Sequence, residues 1–370
     1  MTADHRPLHV VVCGAVFGQV YLEAFRREES RLVLAGILAR GSGRARACAG
    51  HYGVPLYTAV DQIPPTVGAA CVVIRSRALG GQGTEIAHAL MRRGTHVLQE
   101  HPLHPDELAE SLRVARANGV QYRVNPFYSN LGAVRRFIGA ARELCAAGAP
   151  LFVDAACGAQ LSYSLLDILR HALGRVRPWD LRMGPGAAGD PFVTVQATLG
   201  GTPVSLRVQH ELDPADPDGF SHLLHRIAVG FDEGTLLLVD THGPVVWIPR
   251  PQFPRDVRSD TGVAHFARSP EATPRLVTIG PTDAPSYDNV FREHWPRGVV
   301  RALLDLRHSV ERGQDAVTTG QHGLAVAELW RDLLAVTGPP RLVRGSAATA
   351  QWDARLDAMC RAGLALEAMP

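Results

Sequence analysis

The feature that most constrains this chain is the stretch from His9 to Gly18, where a run of β-branched residues ends in small residues. Apolar residues then recur at helical spacing in Tyr21, Leu22 and Phe25. A strand, a tight turn and a helix in this order are typical of a dinucleotide-binding unit. Small turn residues let backbone N–H groups approach a pyrophosphate, and the helix offers its positive N-terminal end to the same anion.

The glycine pattern of this turn is incomplete. In the usual G-x-G-x-x-G register only Gly18 falls on a glycine position. The other two positions hold Cys13 and Ala15, and Gly14 lies between them. The alternative is an ordinary strand–turn–helix connection without a ligand. We predict that the cofactor contacts from this turn come from Cys13, Gly14, Ala15, Phe17 and Gly18.

A second apolar strand, residues 31–38, ends in a basic loop. An NAD-specific fold places an acidic residue there, on the ribose 2′-hydroxyl. The chain instead has Arg40, Ser42 and Arg44. Because arginine forks onto phosphate oxygens, this loop favours the 2′-phosphate of NADPH over NADH. The alternative is a solvated basic loop.

Strands and helices then alternate at the pace of a parallel, doubly wound sheet. The predicted elements are a short strand over 54–57, strands over 69–74, 95–100 and 121–125, and helices over 45–52, 83–93 and 106–118, the last capped by Asp106. Ligands of such sheets bind at the carboxyl ends of the strands. That rule adds four candidate site residues: Arg75, Ser76, Glu100 and His101.

The second half of the chain changes character. Several strands alternate apolar and polar residues, which is typical of an antiparallel sheet with one face in water. We predict strands over 151–156, 192–199, 204–211, 226–231 and 234–240, helices over 131–144, 163–174, 295–311 and 321–336, and a loop over 248–285.

The predicted fold class is therefore α/β. It combines an N-terminal Rossmann doubly wound parallel sheet with a C-terminal α+β domain that has an open, mostly antiparallel sheet. We expect an NADP-binding domain over residues 1–125, a substrate and oligomerisation domain over 126–338, and a tail or helix over 339–370.

Composition excludes several classes of function. The chain has 370 residues, 46% hydrophobic and 20% charged, with a net charge of +2, so neither nucleic acid nor a membrane surface is an expected partner. We expect no signal peptide and no run of about 20 apolar residues that could span a membrane. Six scattered cysteines without a C-x-x-C pair indicate reduced thiols in a cytoplasm.

These features carry a family resemblance over residues 8–335. A Rossmann half, a Glu-x-Pro after a central strand, an open sheet and a closing helix over 318–328 resemble the glucose–fructose oxidoreductase, inositol dehydrogenase and rhizopine-catabolism superfamily. That superfamily has Glu-Lys-Pro, with a catalytic lysine, where this chain has Glu100-His101-Pro102. Its sugar dehydrogenases also carry an acid and a histidine where this chain has Gln160 and Ser164. A plain sugar dehydrogenase is therefore not expected.

One branch of the superfamily resembles this chain more closely, namely the thiazolinyl imine reductases of siderophore biosynthesis, on the yersiniabactin and pyochelin pathways. The resemblance lies in Cys13-Gly14-x-x-Phe17-Gly18, in the Gln-Glu-His-Pro-Leu-His-Pro run over residues 99–105, and in Asn-Pro-Phe-Tyr over 125–128. It implies that NADPH reduces a thiazoline C=N to a thiazolidine while the intermediate is tethered to a nonribosomal peptide synthetase. It also implies a homodimer.

Reduction of a cyclic imine requires a hydride on carbon and a proton on nitrogen, and the protein must supply the acid. His101 stands in place of the superfamily lysine, and histidine is a common general acid. Tyr128 follows the last strand of the first half. We expect one of them to protonate the nitrogen and the other to orient it, with a slight preference for Tyr128 as donor. The alternatives are that His101 binds the cofactor ribose or a carbonyl group and that Tyr128 only packs.

Other residues carry weaker signals. Prolines disrupt the ligand spacing of His101 and His104, and His222 and His225, if they share a helix face, lack a further ligand, so no metal is expected. We expect Asp167 to be a helix residue without a catalytic role. Two other functions remain open: an NADP-dependent reductase or dehydrogenase for another imine or carbonyl, and a non-catalytic NADP-binding sensor or scaffold.

Overall fold

The computed structural model of the chain describes residues 6–26, 29, 31–187, 189–216, 219–251, 276–344 and 352–367. Within these, a parallel sheet with the strand order β3-β2-β1-β4-β5-β6 forms the N-terminal half. Its strands are β1 (Leu8–Cys13), β2 (Leu32–Leu38), β3 (Leu56–Tyr57), β4 (Ala69–Val72), β5 (His96–Glu100) and β6 (Tyr122–Asn125). The apolar runs of β1 and β4 are buried because helices cover both faces of such a sheet. The predicted doubly wound sheet is confirmed.

The helices of this half lie close to their predicted positions: α1 (Gly18–Glu23), α2 (Gly43–Tyr52), α3 (Gly83–Arg92), α4 (Pro105–Ala117) and α5 (Gly132–Ala147). The predicted cap of α4 was wrong. His104, not Asp106, is the N-cap, because its Nδ1 accepts a hydrogen bond from the Asp106 backbone N–H at 3.3 Å. Glu107 closes a capping box by accepting from the His104 N–H.

A second sheet follows in the order β15-β14-β13-β12-β7-β10-β9-β8. Its strands are β7 (Phe152–Gly158), β8 (Trp179–Met183), β9 (Phe192–Leu199), β10 (Thr202–Gln209), β12 (His225–Phe231), β13 (Gly234–Leu238), β14 (Val245–Pro249) and β15 (Val277–Thr278). The pair β7–β10 is parallel and the other neighbours are antiparallel. This confirms the predicted mostly antiparallel sheet.

The remaining elements are a two-stranded parallel pair and five helices within the described residues. The pair joins β11 (Glu211–Leu212) to β16 (Arg341–Leu342). The helices are α6 (Ser162–Leu173), α7 (Tyr287–Asn289), α8 (Trp295–Glu311), α9 (Ala316–Thr337) and α10 (Trp352–Glu367), and a π-helical turn, Val290–His294, joins α7 to α8.

Helix α9 returns to the first half and packs on α4. The two helices approach closely because α9 has glycine at the contact: a Cβ at Gly320 would overlap the Leu112 side chain of α4. The buried residues of both halves therefore form one continuous core. The domain boundaries expected at residues 125 and 338 stay a prediction.

Three expectations about local structure need correction. Strand β8 was not predicted, because it is half exposed and lacks a clear apolar alternation. The expected loop over 248–285 contains the end of β14 and all of β15, while residues 252–275 lie outside the described residues. His222 and His225 share no helix, since His225 begins β12. No helix in the described part of the chain is long and apolar enough to cross a bilayer.

Candidate active site

The turn after β1 lies where the strand order reverses, between β1 and β4. Gly14 has φ +106° and donates its backbone N–H to the Leu38 carbonyl at 2.9 Å. A Cβ at Gly14 would lie 2.5 Å from the Val73 carbonyl oxygen, so no larger residue fits. At Gly18 a Cβ would make only an ordinary contact, 3.5 Å from Val12. The turn thus requires glycine at position 14, which is not a glycine position in the usual G-x-G-x-x-G register.

The loop after β4 is equally tight. A Cβ at Gly81 or Gly83 would overlap the carbonyl oxygens of Arg75 and Ile74. The Arg75 side chain is exposed, whereas Ser76 is buried and donates its hydroxyl to the Pro102 carbonyl at 3.1 Å. Two turns that require glycine therefore lie beside the point between β1 and β4 where the strand order reverses. Together these turns fit a nicotinamide dinucleotide.

The side chains predicted on the first turn face different surroundings. Cys13 is fully buried, and burial raises the pKa of its thiol to about 12, so only its backbone could reach a ligand. Phe17 packs edge-on against Phe127 and Trp295, with ring centroids 5.4 and 6.0 Å away. Ala15 is half-buried. Phe17 therefore links the turn to helix α8.

The basic loop after β2 is open to solvent. Arg40 and Arg44 are exposed, and Ser42 is the N-cap of α2, where its Oγ accepts from the Ala45 N–H at 3.2 Å. The Ser42 hydroxyl is already bound to the backbone of α2. A phosphate group at this loop would therefore be bound by the guanidinium groups of Arg40 and Arg44.

At the end of β5, Glu100 connects Tyr21 to His101. The Tyr21 hydroxyl donates to Glu100 Oε2 and accepts from Asn125 Nδ2 at 2.6 Å. Burial, together with the Glu100 charge, raises the pKa of Tyr21 well above its usual value, so the phenol stays protonated. The other oxygen, Glu100 Oε1, lies 2.9 Å from His101 Nδ1. Glu100 thus binds the imidazole of His101, and its predicted contact with the cofactor stays a prediction.

These contacts determine the proton position on His101. Its Nδ1 lies 3.0 Å from the Asn125 carbonyl oxygen as well as beside Glu100. Both groups only accept, so Nδ1 carries a proton. Neutral His101 is then an acceptor at Nε2, and imidazolium is a donor there.

Tyr128 and His101, predicted independently, lie side by side, with ring centroids 6.4 Å apart and planes at 76°. Tyr163, at the start of α6, stacks on His101 at 5.5 Å and 28°. The Tyr128 ring also meets His225 at 5.0 Å and Trp295 at 6.4 Å. Elements of both halves therefore fix the two rings.

His225 itself has no nitrogen left for a ligand. Its Nε2 lies 2.9 Å from Ser164 Oγ and 3.4 Å from the Leu161 carbonyl, while Nδ1 lies 2.9 Å from Thr241 Oγ1. Because Ser164 donates its own hydroxyl to Leu161, Nε2 must carry the proton. Burial lowers the pKa of His225 to about 4, so it is neutral at pH 7. His225 therefore positions the Tyr128 ring.

A second histidine–carboxylate group lies behind the site. His322 Nε2 contacts Asp167 Oδ1 at 2.7 Å, and His171 Nε2 lies 3.8 Å from the same oxygen. The three ligand atoms are within 4.8 Å of one another, a spacing that a metal ion could use. However, Arg142 donates to His171 Nδ1 at 3.0 Å, which leaves the proton on Nε2. We therefore assign no metal to the group.

Sequence reasoning missed Tyr21, Tyr163, His225 and Trp295 as site residues. Tyr21 and Tyr163 occupy apolar-face positions and are indistinguishable from core residues by spacing alone. The one signal is that a buried tyrosine needs a partner for its hydroxyl.

The chain matches two family models. Residues 8–126 match the oxidoreductase family with an NAD-binding Rossmann fold. Residues 148–248 match the model described as thiazolinyl imine reductase Irp3-like, C-terminal. The fold and the paired glycine turns thus define a nicotinamide-cofactor oxidoreductase. The chain belongs to the glucose–fructose oxidoreductase, inositol dehydrogenase and rhizopine-catabolism superfamily, and it carries the C-terminal domain of the thiazolinyl imine reductase branch.

Solved structures with the same fold are distant in sequence. GenD2 from gentamicin A biosynthesis, in complex with NAD, is 17% identical, with 90% of this chain and 95% of that chain covered and a TM-score of 0.62. Levoglucosan dehydrogenase with NADH and levoglucosan is 13% identical, with 90% and 97% covered and a TM-score of 0.66. UDP-N-acetylglucosamine 3-dehydrogenase from Acidithiobacillus ferrooxidans is 16% identical, with 89% and 97% covered and a TM-score of 0.60. None of the curated proteins matches the chain.

Proposed function

We propose that the chain is an NADPH-dependent thiazolinyl imine reductase, which reduces a thiazoline C=N to a thiazolidine on a siderophore intermediate tethered to a nonribosomal peptide synthetase. One observation carries the proposal: the position of the superfamily lysine holds His101, whose Nδ1 is bound by Glu100 and whose ring lies beside Tyr128. The match of residues 148–248 to the Irp3-like model supports it.

The side chains have separate tasks in this reaction. The nicotinamide supplies the hydride when bound, and the protein supplies the proton for the ring nitrogen. His101 as imidazolium can donate from Nε2, and Tyr128 can donate from its hydroxyl. We retain the preference for Tyr128 as donor, with neutral His101 Nε2 as a hydrogen-bond acceptor that orients the reacting groups.

The cofactor proposal rests on the loop after β2. Its exposed Arg40 and Arg44, with no acidic residue in the loop, fit a 2′-phosphate. The two glycine turns would hold the pyrophosphate through backbone N–H groups.

The surroundings of Ser164 argue against sugar oxidation. Ser164 and Gln160 stand where sugar dehydrogenases have a histidine and an acid, and both are already engaged. Ser164 holds His225, and Gln160 donates its amide to the Ser221 hydroxyl. Neither can act as a base for a sugar hydroxyl. A cytoplasmic homodimer that meets the synthetase remains part of the proposal by resemblance alone.

The test is NADPH consumption with a small thiazoline acid ester in place of the tethered intermediate. We expect turnover by the wild type and a loss of roughly ten-fold or more in Tyr128→Phe or His101→Ala. NADH should support slower turnover than NADPH. His308→Ala, at an exposed position of α8, is the control outside the site and should retain activity.

Tight NADPH binding without turnover of any thiazoline would contradict the proposal. Reduction of a carbonyl compound instead would favour another reductase of the superfamily.

A further inference from the structure

Four arginines on two long helices lie close enough to influence one another electrostatically. Arg135 and Arg136 are on α5, and Arg297 and Arg301 are on α8. We call them the arginine cluster. An anion held between these side chains would offset the repulsion between their positive charges.

The cluster is short of acidic partners. Among the described residues, the side chains of Arg135 and Arg136 make no hydrogen bond or ion pair, and the Arg297 side chain forms an ion pair only with Glu293 at 3.2 Å, both of the latter being about half exposed. Arg301 donates one N–H to the Asn130 carbonyl at 2.8 Å. Within the described part of the chain, Glu293 is therefore the one carboxylate that forms an ion pair with any of the four guanidinium groups.

Two further observations favour an anion-binding site here. Arg136 Nε is buried without a hydrogen-bond partner, in a side chain that lies over Gly280. Burial lowers the pKa of Arg301, and the charges of Arg135, Arg297 and Arg136 lower it further. The guanidinium groups thus repel one another over a short range, and an unsatisfied buried donor accompanies them.

The cluster adjoins the candidate active site. Arg301 is bonded to Asn130, which ends the 3₁₀ turn that begins with Tyr128. Arg135 also lines a cavity of about 430 Å³ whose wall includes Tyr163 and Asn125, the two neighbours of His101. The Tyr163 hydroxyl is buried there without a partner.

We propose that the arginine cluster binds a phosphate group on the arm that carries the substrate, and so holds a tethered substrate in register with His101 and Tyr128. The proposal rests on the proposed function, since it assumes a carrier-bound substrate. Guanidinium groups recognise phosphate oxygens through paired hydrogen bonds, and four of them on two helices form a site for one phosphate ester rather than for an acidic surface.

The experiment is calorimetric titration with 4′-phosphopantetheine, pantetheine and inorganic phosphate. Wild type should bind phosphopantetheine at least about ten-fold more tightly than pantetheine. The double variant Arg136→Met/Arg301→Met should lose that preference, and Arg113→Met, an exposed arginine on α4, should keep it. Should the double variant not fold, the exposed single variant Arg135→Met should weaken phosphopantetheine binding alone.

Equal binding of pantetheine and phosphopantetheine by the wild type would overturn the proposal. Inorganic phosphate that binds as tightly as phosphopantetheine would overturn the assignment to the arm and indicate a site for free phosphate. With thiazoline thioesters of both arms, the double variant should raise KM for the phosphorylated one about ten-fold and leave kcat unchanged. Because the titrations need no turnover, a phosphate preference without thiazoline reduction would refute the proposed function alone.

Discussion

Two of the histidine–carboxylate groups among the described residues lie at or behind the candidate active site, one at His101 and one at His322 and His171. They look alike by composition and differ in whether a ring nitrogen stays available to a ligand. At the end of β5, Glu100 and a carbonyl oxygen bind His101 Nδ1, so Nε2 remains for a ligand. In the helix layer behind it, Asp167 binds His322, and Arg142 binds His171 at Nδ1.

The comparison shows that the group bound to Nδ1 of a histidine decides whether Nε2 of the same ring can bind a ligand. A carbonyl acceptor leaves His101 able to switch between acceptor and donor at Nε2. An arginine donor fixes His171 in the opposite tautomer, and burial lowers the pKa of His171 to about 4, so it stays neutral. The first group is therefore suited to proton transfer and the second to holding α6 against α9.

The largest expected effect distinguishes the structural role of Asp167 from the catalytic support given by Glu100. Burial acts to raise the pKa of Asp167, but the hydrogen bond from His322 and the electrostatic effect of the neighbouring imidazoles outweigh it and lower the pKa, so the buried group is an anion. Asp167→Asn should lose about 3 kcal/mol of unfolding free energy in urea, because it breaks a buried pair. Glu100→Gln should instead lose turnover, roughly ten-fold or more, because an amide has one acceptor oxygen and can no longer accept from both Tyr21 and His101.

Each variant is the control for the other, measured by turnover per folded molecule and by urea midpoint. Equal losses of stability and turnover in both variants would remove the distinction between the two groups.

A second prediction concerns His225. Both of its ring nitrogens are hydrogen-bonded within the protein, and its ring lies beside Tyr128. Its pKa is about 6.5 unfolded and about 4 folded, so the unfolded chain binds more protons between these values. Stability should therefore fall by about 3 kcal/mol from this group as the pH drops from about 6.5 to about 4. His225→Gln should flatten this part of the profile, whereas the exposed control His308→Gln should not. Identical slopes in all three proteins would count against the assigned neutral state.

The smallest effect tests the role of Arg142. Without its guanidinium, His171 can place the proton on Nδ1 and offer the Nε2 lone pair to a metal. Arg142→Met should therefore gain a Zn²⁺-dependent rise of a few degrees in Tm that the wild type and Arg113→Met lack. A Zn²⁺-dependent rise in Tm of the same size in the wild type would show that Arg142 does not prevent metal binding by His171.

Much of the fold was readable from the sequence, because the buried parallel strands are continuous apolar runs and the turns between them are marked by glycine. The adjacency of His101 and Tyr128 also followed, since both residues come after neighbouring strands of one parallel sheet. Strand β8 did not follow, because a half-exposed edge strand leaves little hydrophobic pattern.

The rest of the site depends on contacts between distant segments. Tyr21 on α1 contacts Glu100 at the end of β5, and Ser164 on α6 contacts His225 at the start of β12. No local spacing encodes such pairs, so the tautomers of His101 and His225 could be assigned only in the folded chain.

The central claim is that hydride goes to the carbon of a thiazoline C=N. The most direct measurement is a single turnover with NADPH deuterated at C4 of the nicotinamide, with the product analysed by mass spectrometry and NMR. The account predicts one deuterium at the former imine carbon of the thiazolidine. NADPH oxidation with no deuterium at that carbon would contradict it.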